Sequence, residues 1–330
     1  MYNGIVNIYK EQGFTSHDVV AKLRGIYGQK KIGHTGTLDP MAEGTLIVCL
    51  GQATKLSDLI LTKDKQYIAK MKLGLVTDTD DITGNETASD EEATSKLFEG
   101  VQDESSSSSK DIAKLMEDTF EGFLGKSMQI PPMYSAIKVN GKKLYEYARA
   151  GIVIEREPRP IEIYEMKLID ILPETHEVSF SVRCSKGTYI RSLIRDIGDK
   201  LGTGATMSGL IRDEVNGIKA VDGYRISDLQ TLKEEGKLGE TVQPMDKLLE
   251  SVPAVEALDS SEKLLTNGNR LRPDGIKLIN DNSTSSTVEV DDSSDVLKNS
   301  DFIRVYYKGE LRALYSYDAE KKDFKVFKML

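Results

Sequence analysis

The chain has 330 residues and a formal net charge of −9, with two cysteines and three histidines. Its length is enough for a substantial hydrophobic core and a second, smaller domain. So few cysteines and histidines, spread along the sequence, exclude a disulfide-rich fold and a clustered metal site. No apolar run approaches the length of a membrane span, and the first residues form no basic or apolar targeting segment. We therefore expect a cytoplasmic protein that does not associate with membranes.

The first informative segment is a glycine-rich loop over residues 31–44, with the sequence KIGHTGTLDPMAEG. Its three glycines permit backbone conformations that a side chain would obstruct, while Pro40 restricts both its own φ and the conformation of Asp39. Residues 45–51 form a short apolar run that ends in glycine, which predicts a buried strand beneath the loop. Such restraint suits a carboxylate that must hold one position.

Asp39 is open to more than one interpretation at this point. Aspartate beside glycine and proline commonly caps a turn and has no chemical role. The neighbouring Thr-Gly-Thr also suggests an aspartyl-phosphate nucleophile, as in an Asp-dependent hydrolase. However, no phosphate-binding GxxxxGK[ST] loop and no magnesium-binding carboxylate cluster accompany Asp39, which argues against phosphate chemistry.

Charge is distributed unevenly along the chain. Residues 76–118 contain 13 acidic and 3 basic residues, and residues 281–301 contain 6 acidic and 1 basic residue. Residues 1–75 and 126–195, in contrast, each have a net charge of +4. The net charge of a segment matters more than the total, so the chain is compatible with a cationic groove that attracts phosphates.

Two polar segments have low sequence complexity. Residues 102–110 are mainly serine, and residues 281–301 combine serine, threonine and aspartate. Neither segment can bury enough apolar surface to order itself. We predict a flexible surface loop over residues 102–110 and an acidic insertion over residues 281–301.

The second half of the chain predicts a strand, a glycine turn and a helix. Residues 178–185 alternate apolar and polar side chains, whereas residues 190–201 have apolar side chains at helical spacing and end before Gly202. Arg191 then falls in the first helical turn, where the helix dipole does not favour a cation and a partner is needed. Beyond residue 248, short strands predominate, with a hairpin pattern around Lys308 and Gly309.

Five ordered blocks of the sequence resemble the TruB-type tRNA pseudouridine synthases. The most specific block contains Asp39 and resembles the catalytic motif of that family. The blocks are GFTSHDVVAKLR, GHTGTLDPMAEGTLIVCLGQATK, KQYIAKMKLGLVTDTDDITG, QIPPMYSAIKVNGKKLYEYARAG and CSKGTYIRSLIRDIGDKLGTGA. They cover most of residues 1–248, so chance agreement is improbable.

The resemblance implies an α/β (α+β) fold with a mixed, largely antiparallel central sheet and flanking helices. It places a pseudouridine synthase catalytic domain over residues 1–248, with an RNA-gripping insertion over residues 126–152. Residues 264–271 resemble the start of a PUA-like RNA-binding domain. We therefore expect a small PUA-like β module over residues 249–330 that contains the acidic insertion.

The activity implied is isomerisation of uridine to pseudouridine at position 55 in the T arm of tRNA, by base flipping and without a cofactor or metal. Asp39 matches the catalytic aspartate, which attacks C1′, attacks C6 or removes the C2′ proton; the sequence does not choose among these roles. Arg191 matches the arginine partner that keeps the carboxylate ionised. Tyr67 matches the tyrosine that stacks on the flipped base.

The resemblance assigns further residues to the site. His34 matches the histidine that fills the space left by the flipped base, Leu210 matches an apolar pocket residue, and Tyr189 is expected to position Arg191 or the base. Lys10 matches a lysine of the family and is expected to bind RNA, although Glu11 follows it where the family usually has proline.

The remaining RNA-binding residues are predicted in the insertion, where the family closes over the T loop. These residues are Lys138, Lys142, Lys143 and Arg149. Their partner is the T arm of tRNA, and we expect a monomer with no obligatory protein partner. The competing interpretations are a tRNA-binding or folding chaperone without turnover and the Asp-dependent hydrolase.

Overall fold

The computed structural model describes residues 1–61, 64–99, 107–279, 287–289 and 295–330, which form two compact units. The larger unit comprises Val6–Val48 and Ser57–Leu238, and the smaller comprises Met1–Ile5, Cys49–Leu56 and Gly239–Leu330. The C-terminal segment of the smaller unit begins at Gly239, ten residues before residue 249. Among the described residues, no helix is long and apolar enough to cross a membrane.

Both low-complexity segments fall largely outside the described residues. Of the predicted loop over 102–110, residues 102–106 lie outside them, as do residues 281–286 and 290–294 of the acidic insertion. Residues 107–110 differ from the prediction because they begin the helix Ser107–Glu121. The buried Ile112, Met116 and Phe120 recur at helical spacing in this segment, and their packing favours helix in the polar residues that precede them.

The helices of the described chain are mostly short. They are α1 (Ser16–Tyr27), α2 (Ser57–Leu61), α3 (Glu91–Leu97), α4 (Ser107–Glu121), α5 (Leu144–Arg149), α6 (Ile190–Leu201), α7 (Ile226–Glu234), α8 (Glu262–Thr266) and α9 (Asp295–Lys298). Helix α6 confirms the helix predicted over residues 190–201, and its left-handed C-cap is the predicted Gly202, with φ of 77°.

The strands of the first 219 residues build the central sheet and two small hairpins. They are β1 (Gly4–Lys10), β2 (Ile32–His34), β3 (Glu43–Leu50), β4 (Lys65–Leu73), β5 (Leu75–Thr77), β6 (Glu86–Ser89), β7 (Gly125–Gln129), β8 (Lys138–Val139), β9 (Lys142–Lys143), β10 (Arg159–Leu172), β11 (Glu177–Cys184), β12 (Ala205–Val215) and β13 (Ile218–Lys219).

The central sheet is mixed, as predicted. Its strand order is β1-β3-β12-β4-β11-β10-β7, with β2 added to β3 and β13 added to β12. Strands β3 and β12 are parallel. From β12 onward the pairs are antiparallel: β12 with β4, β4 with β11, β11 with β10, and β10 with β7. The parallel contact joins Arg212 to Gly44 and thereby brings the end of the Asp39 loop against β12.

Helices α4 and α6 cover one face of this sheet. Ile190, Leu193, Ile194 and Ile197 project from α6 into the same core cluster as Phe180 of β11. Both cysteines are buried and free. Leu38, Met41 and Ala42 also belong to this cluster, so the Asp39 loop is anchored by apolar side chains on both sides of Asp39.

The smaller unit contains a six-stranded sheet with the order β16-β15-β14-β17-β18-β19. Its strands are β14 (Ala254–Ala257), β15 (Ile276–Ile279), β16 (Thr287–Glu289), β17 (Ile303–Tyr307), β18 (Glu310–Asp318) and β19 (Asp323–Met329). Strands β17 and β18 form the hairpin predicted around Lys308 and Gly309. Tyr315 is fully buried in its core and donates a hydrogen bond to the Asn269 carbonyl at 2.9 Å.

Candidate active site

Asp39 lies in the loop between β2 and β3, and this loop is held by backbone contacts. The Asp39 carbonyl accepts a hydrogen bond from the Ala42 amide at 3.0 Å, which closes a tight turn around Pro40. The Ser16 hydroxyl accepts from the Leu38 amide at 2.9 Å. Gly44 has a φ of 99°, and a Cβ there would lie 2.4 Å from the Arg212 carbonyl oxygen, so only glycine fits.

Two buried cations hold the carbonyls on either side of Asp39. The Lys10 ammonium donates to the carbonyls of Ala42 at 2.6 Å and Pro40 at 3.4 Å. The Arg212 guanidinium donates to Thr45 at 2.7 Å, and its other two nitrogens reach the carbonyls of Gly36 and Thr37 at 3.1 and 3.3 Å. The backbone of the loop is therefore fixed by cation-to-carbonyl hydrogen bonds, which are stronger than neutral ones.

Lys10 does not occupy the position predicted for an RNA-binding residue. Its side chain has no exposed surface, so it cannot contact a phosphate. Burial lowers the pKa of Lys10 to about 8, although Asp39 and Glu43 oppose the shift. RNA binding was expected because Lys10 matches a lysine of the family that the sequence resembles. The fold instead assigns this lysine to the support of the Asp39 loop.

Asp39 and Arg191 form the ion pair that the sequence predicted. The distance between Asp39 Oδ2 and Arg191 Nε is 2.9 Å, and the side chains are 37% and 5% exposed, respectively. The remaining guanidinium nitrogens donate to the carbonyls of Tyr134 at 2.8 Å and Thr79 at 3.0 Å. These partners offset the unfavourable position of a cation in the first turn of α6.

Asp81 is a second carboxylate near Arg191 that sequence reasoning did not single out. Its Oδ2 lies 3.9 Å from Arg191 Nη1, and the Asp81 side chain is 8% exposed. The hydroxyls of Thr79 and Thr83 donate to the other Asp81 oxygen at 3.0 and 2.5 Å. A signal for Asp81 was present in the segment TDTDDITG, because Thr79 and Thr83 each lie two residues from this aspartate.

Asp39 opens into a pocket of about 420 Å³. Four of the predicted site residues line the pocket with Asp39: Tyr67, Tyr189, Arg191 and Leu210. Further lining residues that the sequence did not indicate include Lys65, Tyr134, Tyr145 and Arg212. The pocket thus combines one carboxylate, three cations and several aromatic rings, which suits a planar, polar substrate.

Tyr67 is buried on β4, beside Arg212. Burial raises the pKa of Tyr67 to about 12, although the charge of Arg212 and a hydrogen bond to it act in the opposite direction. Burial likewise raises the pKa of Tyr189, although the charges of Arg159 and Arg191 oppose the shift. Both phenols are therefore protonated at neutral pH, and each can donate a hydrogen bond.

His34 is not among the described residues that line the pocket. Its Nδ1 accepts a hydrogen bond from the Gly36 amide at 3.3 Å, and its ring meets that of His17 edge to face at 5.6 Å. Burial lowers the pKa of His34, and the positive charges of His17 and Arg212 lower it further. The imidazole is therefore neutral near pH 7 and lies two residues before Gly36, which does line the pocket.

The predicted insertion over residues 126–152 places cations at the surface next to the pocket. Lys138, Lys142 and Arg149 are exposed and Lys143 is half-buried. Strands β8 and β9 pair Lys138 with Lys143. The Tyr145 ring, which lines the pocket, lies 5.3 Å from Lys143 Nζ and 5.5 Å from the Arg149 guanidinium carbon.

Comparison with known proteins gives consistent matches. Residues 24–190 match the model described as TruB family pseudouridylate synthase (N terminal domain), and residues 191–250 match tRNA pseudouridylate synthase B C-terminal domain. The chain is 45% identical to tRNA pseudouridine synthase B of Lachnoclostridium phytofermentans and 39% identical to that of Clostridium tetani, in each case over 99% of both chains.

Solved structures are similar over the same span. One is described as "Crystal Structure of a Cbf5-Nop10-Gar1 Complex", with 27% identity, a TM-score of 0.65 and coverage of 99% of this chain and 84% of that chain. Another is described as "Structure of H/ACA RNP bound to a substrate RNA containing 2'-deoxyuridine", with 25% identity, a TM-score of 0.66 and the same coverage.

Proposed function

Because the chain belongs to the TruB family of pseudouridylate synthases, we propose that its target is uridine 55 in the T arm of tRNA and that Asp39 is its catalytic carboxylate. The chain is an isomerase that converts uridine to pseudouridine in tRNA. The observation that carries the assignment of Asp39 is its 2.9 Å contact with the buried Arg191 at the wall of the pocket.

The reaction breaks the bond between N1 of uracil and C1′ of the ribose, and forms a bond between C5 and C1′. The base loses the proton of C5 and gains one at N1, so the reaction involves no net oxidation or reduction. An ionised carboxylate beside the sugar can attack C1′, attack C6 or accept the C2′ proton. Arg191 donates to Asp39 Oδ2 at 2.9 Å and thereby fixes the direction of one carboxylate oxygen.

We propose that the target uridine reaches Asp39 by base flipping. A uridine in a folded RNA loop must leave its stack to reach Asp39, at a cost of a few kcal/mol. Tyr67 faces the same pocket and offers an aromatic surface for the flipped base, which contributes about 1–3 kcal/mol. We also assign its protonated phenol a proton transfer at C5 of the base, as an alternative to stacking alone. We assign the apolar contact of the base to Leu210.

We assign the grip on the T arm to the insertion over residues 126–152. Its exposed cations flank the pocket, and phosphate contacts by lysine and arginine supply much of the affinity for RNA. Lys10 is not part of this set because it is buried. We propose PUA-like RNA binding for residues 249–330 and the catalytic role for residues 1–248.

We further propose that the chain acts as a cytoplasmic monomer without an obligatory protein partner. The described residues that line the pocket all come from the larger unit of one chain.

The test is the substitution Asp39→Asn, which keeps the shape of the side chain and removes its charge. The purified variant and the wild type are incubated with unmodified tRNA, and pseudouridine is mapped by chemical labelling. We expect the rate to fall by about 10³-fold or more, while tRNA binding is retained. Asp222→Asn, at an exposed position, is the matched control. Unchanged product formation in Asp39→Asn would refute the catalytic assignment.

The same assay separates the alternative functions. A tRNA chaperone without turnover would bind tRNA but yield no pseudouridine even as the wild type. A tRNA in which uridine 55 is replaced by cytidine tests the position: label at any other uridine of that tRNA would contradict the proposed target.

A further inference from the structure

Two arginines of α6, one helical turn apart, each face an aspartate of the loop between β5 and β6. Arg191 faces Asp81, as described above, and Arg195 Nη1 lies 3.2 Å from Asp80 Oδ2. The side chains of Arg195 and Asp80 are 23% and 14% exposed. The mechanism uses Arg191 but gives no role to Arg195, which is not among the described residues that line the pocket.

The first segment of the insertion depends on arginines for its hydrogen bonds. Pro131 and Pro132 end strand β7, and proline has no amide hydrogen with which to continue a sheet. The carbonyls that are freed need other donors. Arg195 donates to the Ile130 carbonyl at 3.5 Å, and Arg156 donates to the Pro131 carbonyl at 3.1 Å. Arg191 donates to the Tyr134 carbonyl, as noted above.

Gln129 completes the connection between this segment and α6. Its side-chain oxygen accepts from the Tyr189 amide at 2.9 Å, and its side-chain nitrogen donates to the Tyr189 carbonyl at 3.1 Å. Tyr189 is the N-cap of α6. The first residues of the insertion therefore run from the end of β7 along the first two turns of α6. This is the helix that carries Arg191.

Asp80 is itself fixed in place. It has a φ of 60°, a left-handed conformation that is uncommon for a residue with a side chain and persists only where the surroundings hold it. The Met207 amide donates to the Asp80 carbonyl at 3.1 Å, and the Ile82 amide donates to the Met207 carbonyl at 3.0 Å. The backbone of Asp80 is thus anchored to β12 of the central sheet, and this fixes the residue from which the carboxylate projects.

Arg195 also contacts Asp196, its neighbour on α6. Arg195 donates to Asp196 Oδ1 from Nε at 3.0 Å and from Nη2 at 2.8 Å. Both residues belong to the same helix, so this pair orients the guanidinium but cannot connect α6 to another element. Asp80 is the partner that connects the guanidinium to the sheet.

From these contacts we propose that Asp80 and Arg195 form a positioning pair for the reaction. The pair fixes the point at which the insertion leaves the sheet, and thereby the Tyr134 carbonyl that holds Arg191 against Asp39. RNA that docks on the insertion is then coupled to the orientation of the catalytic ion pair. This inference rests on the proposed roles of Asp39 and the insertion.

The experiment uses Arg195→Met and Asp80→Asn in the full-length chain. Single-turnover rates are measured at saturating unmodified tRNA, and the Kd for tRNA is measured by filter binding. We expect either change to lower the rate by about 10- to 100-fold, because small misplacements of reacting groups are costly. The Kd should change by less than about threefold, since the pair is not expected to touch RNA.

Arg183→Met is the matched control. This arginine is exposed on β11, outside both the insertion and residues 249–330. It should leave both the rate and the Kd unchanged. A double variant, Arg195→Met with Asp80→Asn, should be no slower than the slower single variant, because both substitutions break one pair.

Amide hydrogen exchange provides a readout that does not depend on activity. In Arg195→Met and in Asp80→Asn, we expect faster exchange in peptides from residues 129–150 and unchanged exchange in residues 254–279. The proposal is overturned if both variants keep the wild-type rate, if only the Kd changes, or if exchange increases equally everywhere, which would indicate a general loss of stability.

Failure of this inference is distinguishable from failure of the proposed function. If the function is wrong, the wild type itself forms no pseudouridine at the assigned uridine. If only the positioning pair is wrong, the wild type and Arg195→Met react at the same rate, while Asp39→Asn remains inactive.

Discussion

The Asp39 loop and the insertion over residues 126–152 both depend on cations, but they use them in opposite ways. Lys10 and Arg212 are buried beneath the loop, where they donate to carbonyls. Lys138 and Lys142 are exposed on the insertion, where their ammonium groups remain available to a ligand. The comparison teaches that burial, and not the identity of the residue, decides whether a lysine supports the backbone or remains available to a ligand.

The largest expected effect concerns Arg191, a buried cation that also lines the pocket. We predict that Arg191→Met lowers the single-turnover rate by about 10²–10³-fold, the range for the loss of one preorganised electrostatic contact. Circular dichroism checks that the variant is folded. Arg183→Met, at an exposed position of β11, should retain the wild-type rate. A rate for Arg191→Met close to that of the wild type would show that the ion pair is dispensable.

The comparison predicts that Lys10 affects stability more than RNA binding. Lys10→Met leaves buried carbonyls without a donor, so we expect the free energy of unfolding to fall by roughly 1–3 kcal/mol. Lys142→Met, at an exposed position, should change it by less than about 0.5 kcal/mol. Urea denaturation measures the free energy of unfolding of both variants and of the wild type. If Lys10→Met weakened tRNA binding and left stability unchanged, the contrast between the two regions would be wrong.

The pH dependence of the Lys10 effect has a defined sign. The pKa of Lys10 is about 8 in the folded chain and about 10.5 when exposed, so the unfolded chain binds more protons between these values. The contribution of Lys10 to stability is therefore smallest below pH 8 and increases as the pH rises. The difference in unfolding free energy between the wild type and Lys10→Met should widen from pH 7 to pH 9.5; a constant or shrinking difference would contradict this pKa.

Tyr67 connects the two kinds of environment, because it lies beside the buried Arg212 and also lines the pocket. Tyr67→Leu removes the stacking surface, which corresponds to about 1–3 kcal/mol and a rate loss of roughly 10- to 100-fold. Tyr67→Phe keeps the ring and should lose only about 1 kcal/mol of stability, from the hydrogen bond to Arg212. Single-turnover rates of the two variants distinguish stacking alone from an additional role of the phenol. If the Phe variant is as slow as the Leu variant, the phenol has a role beyond stacking.

The smallest expected effect belongs to the exposed cations. Replacement of Lys138 and Lys142 together by glutamine should weaken tRNA binding several-fold and reduce the slope of log K against log salt by about 1.5. Lys96→Gln with Lys114→Gln, two exposed lysines of α3 and α4, is the control. Binding measured from low to high salt tests the prediction, and an unchanged slope would mean that these lysines do not contact phosphates.

Local patterns predicted the elements that lie closest to Asp39. The apolar spacing over residues 190–201 predicted α6, and Gly202 predicted its end, because these signals act within a few turns of helix. The ordered motifs predicted the pairing of Asp39 with Arg191, residues separated by 152 positions in the chain. Over residues 107–110, the serine-rich composition predicted a loop, whereas the structure has the start of a helix. Composition takes no account of the helical spacing of the apolar residues that follow.

The contacts that organise the site beyond this ion pair were not predictable from local patterns. Asp81 and Asp80 each face one arginine of α6, but nothing in the acidic run before Gly84 assigns a partner to either. Arg212 supports the Asp39 loop only because β12 and β3 are parallel neighbours. Such pairings follow from strand order, which local sequence does not encode.

The sequence by itself determined the family and the reaction and predicted Asp39 as the catalytic acid, because glycine and proline restrict a backbone locally and motif order is read along the chain. Only the tertiary structure decided which cations are buried. Lys10 and Lys142 have the same chemistry and the same local polarity, yet one is enclosed by the Asp39 loop and the other is exposed on the insertion. The difference depends on contacts between residues far apart in the chain, and these contacts form only in the folded protein.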